Sequence, residues 1–243
     1  MMKKGVSHIE VVLAFLLFLS ASIVILYFFS LGDASSLNDK QLYYLFDKVG
    51  ANVSVDLIEV GVKVNSTIAE NIAINTPIEI GEAINASVIN LNKEFLDSKN
   101  SQLGNNVICI NIMKSGKKTD FVYLYLSEDF NSTSNNGEGF LCPNSISEGN
   151  YTLGGVKKYK VVSEKRILLF NKSYYNDYNS IKNYSGIPQI QDFSLTVKFG
   201  NGEKIEMLKN IPQGVEVFSL NRRIEVLRNN RTVEFADINL RIW

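Results

Sequence analysis

Residues 1–31 read MMKKGVSHIEVVLAFLLFLSASIVILYFFSL. From Val11 to Leu31 no charge, glycine or proline interrupts the run, and at 1.5 Å per residue a helix of that length spans roughly 30 Å, the thickness of a bilayer's hydrocarbon. Lys3 and Lys4 precede it, whereas the first charge after it is Asp33 and the first lysine Lys40. Positive-inside bias therefore predicts a single-pass cell-membrane protein with its N-terminus in the cytoplasm and everything beyond Leu31 outside. Glu10 sits awkwardly in this picture. A carboxylate at the centre of a membrane helix costs about 2.5–3.5 kcal/mol, less near an interface, so such a group tends to have a partner. A cleaved secretory signal would have a shorter apolar core; Ser20, Ala21 and Ser22 imitate a cleavage site, but the run continues through Phe28, Phe29 and Leu31. A plain uncleaved anchor explains length and orientation and leaves both Glu10 and the prefix unexplained.

The order Lys3-Lys4-Gly5, then Val6-Ser7-His8-Ile9-Glu10, then the apolar run resembles the class III leader of type IV pilins. The resemblance implies cleavage between Gly5 and Val6 by a prepilin peptidase, packing of the freed helix with its copies, and pairing of Glu10 with the new terminal amine of a neighbouring pilin-like subunit. Val6 departs from the phenylalanine common at the first mature position in bacteria. The match covers only the first 31 residues or so.

The remainder gives little material for chemistry. Lysine plus arginine equals aspartate plus glutamate, 25 each in 243 residues, and no basic run that would grip phosphate appears, which sets nucleic acid aside. One histidine, His8, and two cysteines are too few for a metal site, and no phosphate loop, nucleophile elbow or HExxH motif occurs. Adjacent carboxylates such as Glu128 and Asp129 point apart on a strand. The expectation is a protein that is not an enzyme, with no cofactor, no metal and no catalytic residue.

Four regions are expected: a leader over 1–5, a transmembrane and assembly helix over 6–31, a stalk over 32–50 and an extracellular β-rich domain over 51–243. Gly32 to Ser36 breaks the apolar pattern and offers a cap for the stalk helix, which carries Leu42, Leu45 and Val49 on one face. Val53, Val55 and Leu57 then alternate, followed by Ile58, Val60, Val62 and Val64 in the opposite parity, which predicts one strand with a bulge near Leu57. Between Ser66 and Gly104 a helical stripe (Ile84, Val88, Leu91, Phe95) and short strands remain alternatives. Further on, the pattern predicts a hairpin pairing 108–112 with 122–126, a strand over Tyr159–Phe170 and a short helix over Tyr174–Tyr184. Two more hairpins are expected, turning at Gly200-Asn201-Gly202 and at Asn229-Asn230. The fold class so predicted is α+β: an N-terminal transmembrane helix, a stalk helix, and a mainly antiparallel, sandwich-like extracellular domain.

Two signals fit an exterior location. Asn-X-Ser/Thr occurs at Asn52, Asn65, Asn85, Asn131, Asn150, Asn171, Asn183 and Asn230, eight sites where composition yields about three by chance. With the leader, they resemble the sequons of archaeal surface proteins such as archaeal pilins and archaellins. Cys109 and Cys142 lie where thiols oxidise, which predicts a disulfide. The function expected is a pilin-like surface filament subunit of minor, tip or adhesive type. The alternative is a membrane-anchored adhesion protein that binds a surface or host ligand without polymerising.

Overall fold

The computed structural model describes the backbone of residues 8–67, 70–76, 85–130 and 140–243, and the side chains of these outside 8–10 and 26–39. A single helix, α1 (His8–Val53), runs without a break through the position expected to separate anchor from stalk. One glycine in a helix costs about 1 kcal/mol, less than nucleating a second helix beyond it. Its C-terminal part is core rather than stalk: Leu42, Leu45, Phe46, Val49 and Val53 recur at helical spacing and are all buried. Among the described residues no helix is long and apolar enough to cross a membrane. This overturns the expected transmembrane helix and the expected single-pass localisation with a cytoplasmic N-terminus.

The rest of the chain is mostly strand. β1 (Ser54–Val64) follows α1 directly, then β2 (Asn71–Asn75), β3 (Asn85–Asn90), β4 (Phe95–Leu96), β5 (Ser98–Asn100), β6 (Val107–Asn111), β7 (Met113–Lys114), β8 (Lys117–Lys118), β9 (Phe121–Ser127) and β10 (Tyr151–Ser163). Two helices, α2 (Glu164–Asn176) and α3 (Tyr178–Ser185), precede β11 (Phe193–Phe199), β12 (Lys204–Met207), β13 (Phe218–Leu227) and β14 (Val233–Ile242). The expected sandwich is instead a nine-stranded sheet, ordered β12-β11-β14-β13-β10-β1-β9-β3-β4, with a separate three-stranded sheet β2-β6-β5. Every pairing is antiparallel except β10 with β13, which touch in parallel at only two positions, Val162 with Val226 and Ser163 with Leu227.

Several local expectations change for one reason, burial on both faces. The parity change in β1 is not a bulge at Leu57. Val55 and Leu57 face a core with Phe130, Val161 and Leu227, while Ile58, Val60, Val62 and Val64 face the three-stranded sheet. The irregularity lies in β10, where Val60 and Val62 oppose Val156 and Leu153. There a Cβ on Gly154 would stand 3.0 Å from the Gly61 carbonyl oxygen, so the two strands approach as only glycine permits. The stretch 108–112 does not pair with 122–126: β6 joins β2 and β5, β9 joins β1 and β3, and the hairpin is confined to β7 and β8. Short strands replace the helical stripe at 85–100. Strand gives way to helix at Glu164, because Ser163 caps α2 by accepting a hydrogen bond from the Arg166 amide. The expected short helix is two helices, α3 ending at Gly186 with φ 72°. The β11–β12 and β13–β14 hairpins form as expected.

The first turn of α2 clamps the two-residue junction between β10 and β13. Glu164 accepts a hydrogen bond from the Asn229 amide at 2.8 Å and lies 3.0 Å from the Arg228 guanidinium, just past the end of β13. Arg166 donates to the Ser54 carbonyl at 2.7 Å, where β1 begins, and pairs with Asp129 at 3.0 Å beyond β9. Glu164→Ala should therefore lower unfolding free energy by about 1.5–3 kcal/mol, the range for a charge-assisted hydrogen bond. Glu164→Gln, which keeps an acceptor for Asn229, should lose less, both read from urea midpoints.

Cys109 in β6 is bonded to Cys142, with Cα atoms 5.7 Å apart and 33 residues of separation. The bridge pins Phe140, Cys142 and Ile146 over the outer face of the three-stranded sheet, where Ala73, Val107 and Cys109 are buried. Replacing both cysteines by alanine should destabilise the fold by roughly 3–4 kcal/mol by the chain-entropy estimate, with β2, β5 and β6 losing amide-exchange protection first.

Candidate assembly surface

The N-terminal part of α1 has an unusual surface. Val11, Val12, Leu13, Phe15, Leu16, Leu17, Phe18 and Leu19 all stand exposed, Phe18 at 70%, and Ile23, Val24 and Ile25 continue the series. Consecutive residues point to every side of a helix, so this segment is apolar all round, and a helix of that kind is found buried. Its hydroxyls are already satisfied: Ser20 donates to the Leu17 carbonyl at 2.9 Å and Ser22 to the Phe18 carbonyl at 2.8 Å. Burial would leave neither hydroxyl without a partner. Each large side chain moved out of water contributes about 1.5–3 kcal/mol, and contiguous apolar surface on this scale marks an interaction site.

Gly5 and Val6 lie outside the described residues. Glu10 belongs to α1, but its side chain is outside the described set. The sequons are scattered rather than gathered. Asn65 and Asn230 are exposed, and in each the sequon threonine, Thr67 or Thr232, donates its hydroxyl to the asparagine Oδ1 at 2.6 Å. Asn183 is exposed on α3. Asn52 and Asn150 are half-buried, and Asn131 lies outside the described residues. Asn85 is tied into the fold, its Nδ2 donating to the Phe130 carbonyl at 2.8 Å. The Oδ1 of Asn171 is buried without a hydrogen-bond partner.

One polar cluster escaped the sequence reading. Lys182 is buried and donates to the Gln189 carbonyl at 2.7 Å and to Asp192 at 3.3 Å; Lys209 and Tyr178 also donate to Asp192, at 2.9 and 3.1 Å. Burial pushes the Asp192 carboxyl up, but the hydrogen bonds from Lys209, Tyr178 and Lys182 outweigh it and hold the group below the usual carboxylate range. Burial drives the Tyr174 and Tyr178 phenols well above theirs. Phenols that stay protonated and a carboxylate that stays paired fasten α3 to β11; they offer no free acid or base. Nothing in the sequence spacing marked the cluster, because its members come from α3, from the segment before β11 and from Lys209 beyond β12, which meet only in the fold. Among the described residues no group of three or more His, Cys, Asp or Glu could hold a metal ion.

Comparison of the chain with known protein families, with characterised proteins and with solved structures found no match.

Attachment of a glycan requires an accessible acceptor nitrogen. In native material, site-resolved glycoproteomics should find Asn65, Asn183 and Asn230 occupied and Asn85 bare.

Proposed function

We propose that the chain is a pilin-like filament subunit in which the apolar segment of α1 is buried against the same segment of its copies, while the β-rich body faces outward. The observation that carries this reading is the exposed, all-round apolar helix over 11–25, joined without interruption to a packed domain. The leader-like prefix supports it from the sequence side: removal of residues 1–5 by a prepilin-type peptidase would give Val6 a terminal ammonium. In a staggered stack that ammonium meets Glu10 of a neighbour and neutralises it in a dry bundle. The disulfide fits an oxidising compartment.

Leu17→Glu, placed where the helix touches nothing of its own domain, should abolish high-order assembly in sedimentation and electron microscopy while leaving the domain's melting transition unchanged. Glu10→Ala should leave that transition unchanged and reduce filament incorporation. Native protein should begin at Val6. Unaltered assembly of Leu17→Glu, or native protein beginning at Met1, would replace this reading with a non-polymerising adhesion protein.

A further inference from the structure

N-terminal to their two-residue junction, β10 and β13 diverge, and the gap leads into a cavity of about 410 Å³. Its walls are α1 near its end, the facing surfaces of β11 and β14, and the diverging strands. Val49, Val53, Leu195, Val197 and Leu240 line it and are buried, so its depth is hydrocarbon. Gly50 is part of the same wall, and a Cβ built there meets no atom within 4 Å. Glycine inside a helix is unfavourable by about 1 kcal/mol relative to alanine. Here its effect is to keep the space open.

The mouth is charged. Lys160 on β10 and Arg223 on β13 both border it, together with Glu225. Asp56, opposite Lys160 in the sheet, is held by Lys158 at 2.9 Å instead. Arg223 lies with its guanidinium 5.2 Å from the Phe235 ring centroid. Among the described residues Lys160 makes no ion pair, and it projects to the α1 side of β10 with Val162, whereas Arg223 and Glu225 project with Leu227 to the other side of the sheet; Lys160 is therefore the cation that faces the apolar depth. Sites for small ligands are typically concave, about 300–1,000 Å³, apolar in depth and polar at a few points that fix orientation.

We infer that this cavity binds a single-chain amphiphile with an anionic head, a long-chain carboxylate, with the tail against Val53, Val197 and Leu240 and the carboxylate at Lys160. The site is separate from the assembly segment of α1 and does not depend on polymerisation.

Dodecanoate, kept below its micellar concentration and titrated calorimetrically into the full chain, tests this. One saturable site per chain is expected, superimposed on any diffuse adsorption to the exposed helix. Gly50→Leu fills the cavity, so it should remove the saturable site while leaving thermal stability equal or higher. Gly50→Met, with a more pliable side chain, should do the same and serves if the leucine variant misfolds. Lys160→Ala should weaken dodecanoate by about fivefold, the weight of a partly exposed ion pair, and leave dodecanol unchanged. Saturable binding that survives both Gly50 variants would overturn the site. Equal affinity of the wild type for dodecanol and dodecanoate would overturn the anionic head.

Discussion

The two residue pairs that join β10 to β13 hold the nine-stranded sheet together. On one side stands the β12-β11-β14-β13 group with its helices, and on the other β10-β1-β9-β3-β4 with the small three-stranded sheet beneath. Two parallel pairs are a slender seam for two such halves. What reinforces it is sequence-local: Ser163 ends β10, caps α2, and so places Glu164 and Arg166 in a first turn that reaches Asn229 on one half and Ser54 on the other. The same divergence that makes the seam short opens the cavity beside it. Stability and vacancy at this place share one cause.

α1 reinforces the seam from a third direction. Its buried stripe packs in the core that contains Val162 of β10 and Val226 of β13, alongside Ile167 of α2 and Leu195 and Leu240 of the sheet. Arg222 of β13 lies over the Tyr43 and Phe46 rings at 4.9 and 5.0 Å. The helix therefore has two unlike halves: one whose apolar residues have found their partners inside this chain, and one whose apolar residues have not.

Strands with one buried face were legible in the sequence. Phe193, Leu195, Val197 and Phe199 alternate because only one side of β11 meets the core, and the turns at Gly202 and Asn230 sit where their residue types predict. Strands buried on both sides were not. Ile108 and Ile110 read as half of a hairpin, yet they face one core while Cys109 faces another, and nothing in a period of two says which sheet a strand joins. The stripe Leu42, Leu45 and Val49 was visible, but the sequence could not distinguish a stalk's seam from a core's. The cysteine pair was legible from its even number. The cavity was not, since Gly50 acquires meaning only once α1 lies against β11 and β14.

The passage from α1 to β1 contains no loop: Val53 ends the helix and Ser54 begins the strand. A pull applied along the helix meets its buried stripe from Leu42 to Val53 first, and then the end of a strand held on one side by β10 from Ser54 to Val64 and on the other by β9 from Ile58 to Lys63. Load along a strand axis acts on all those ladder hydrogen bonds at once, in shear, instead of opening them one after another.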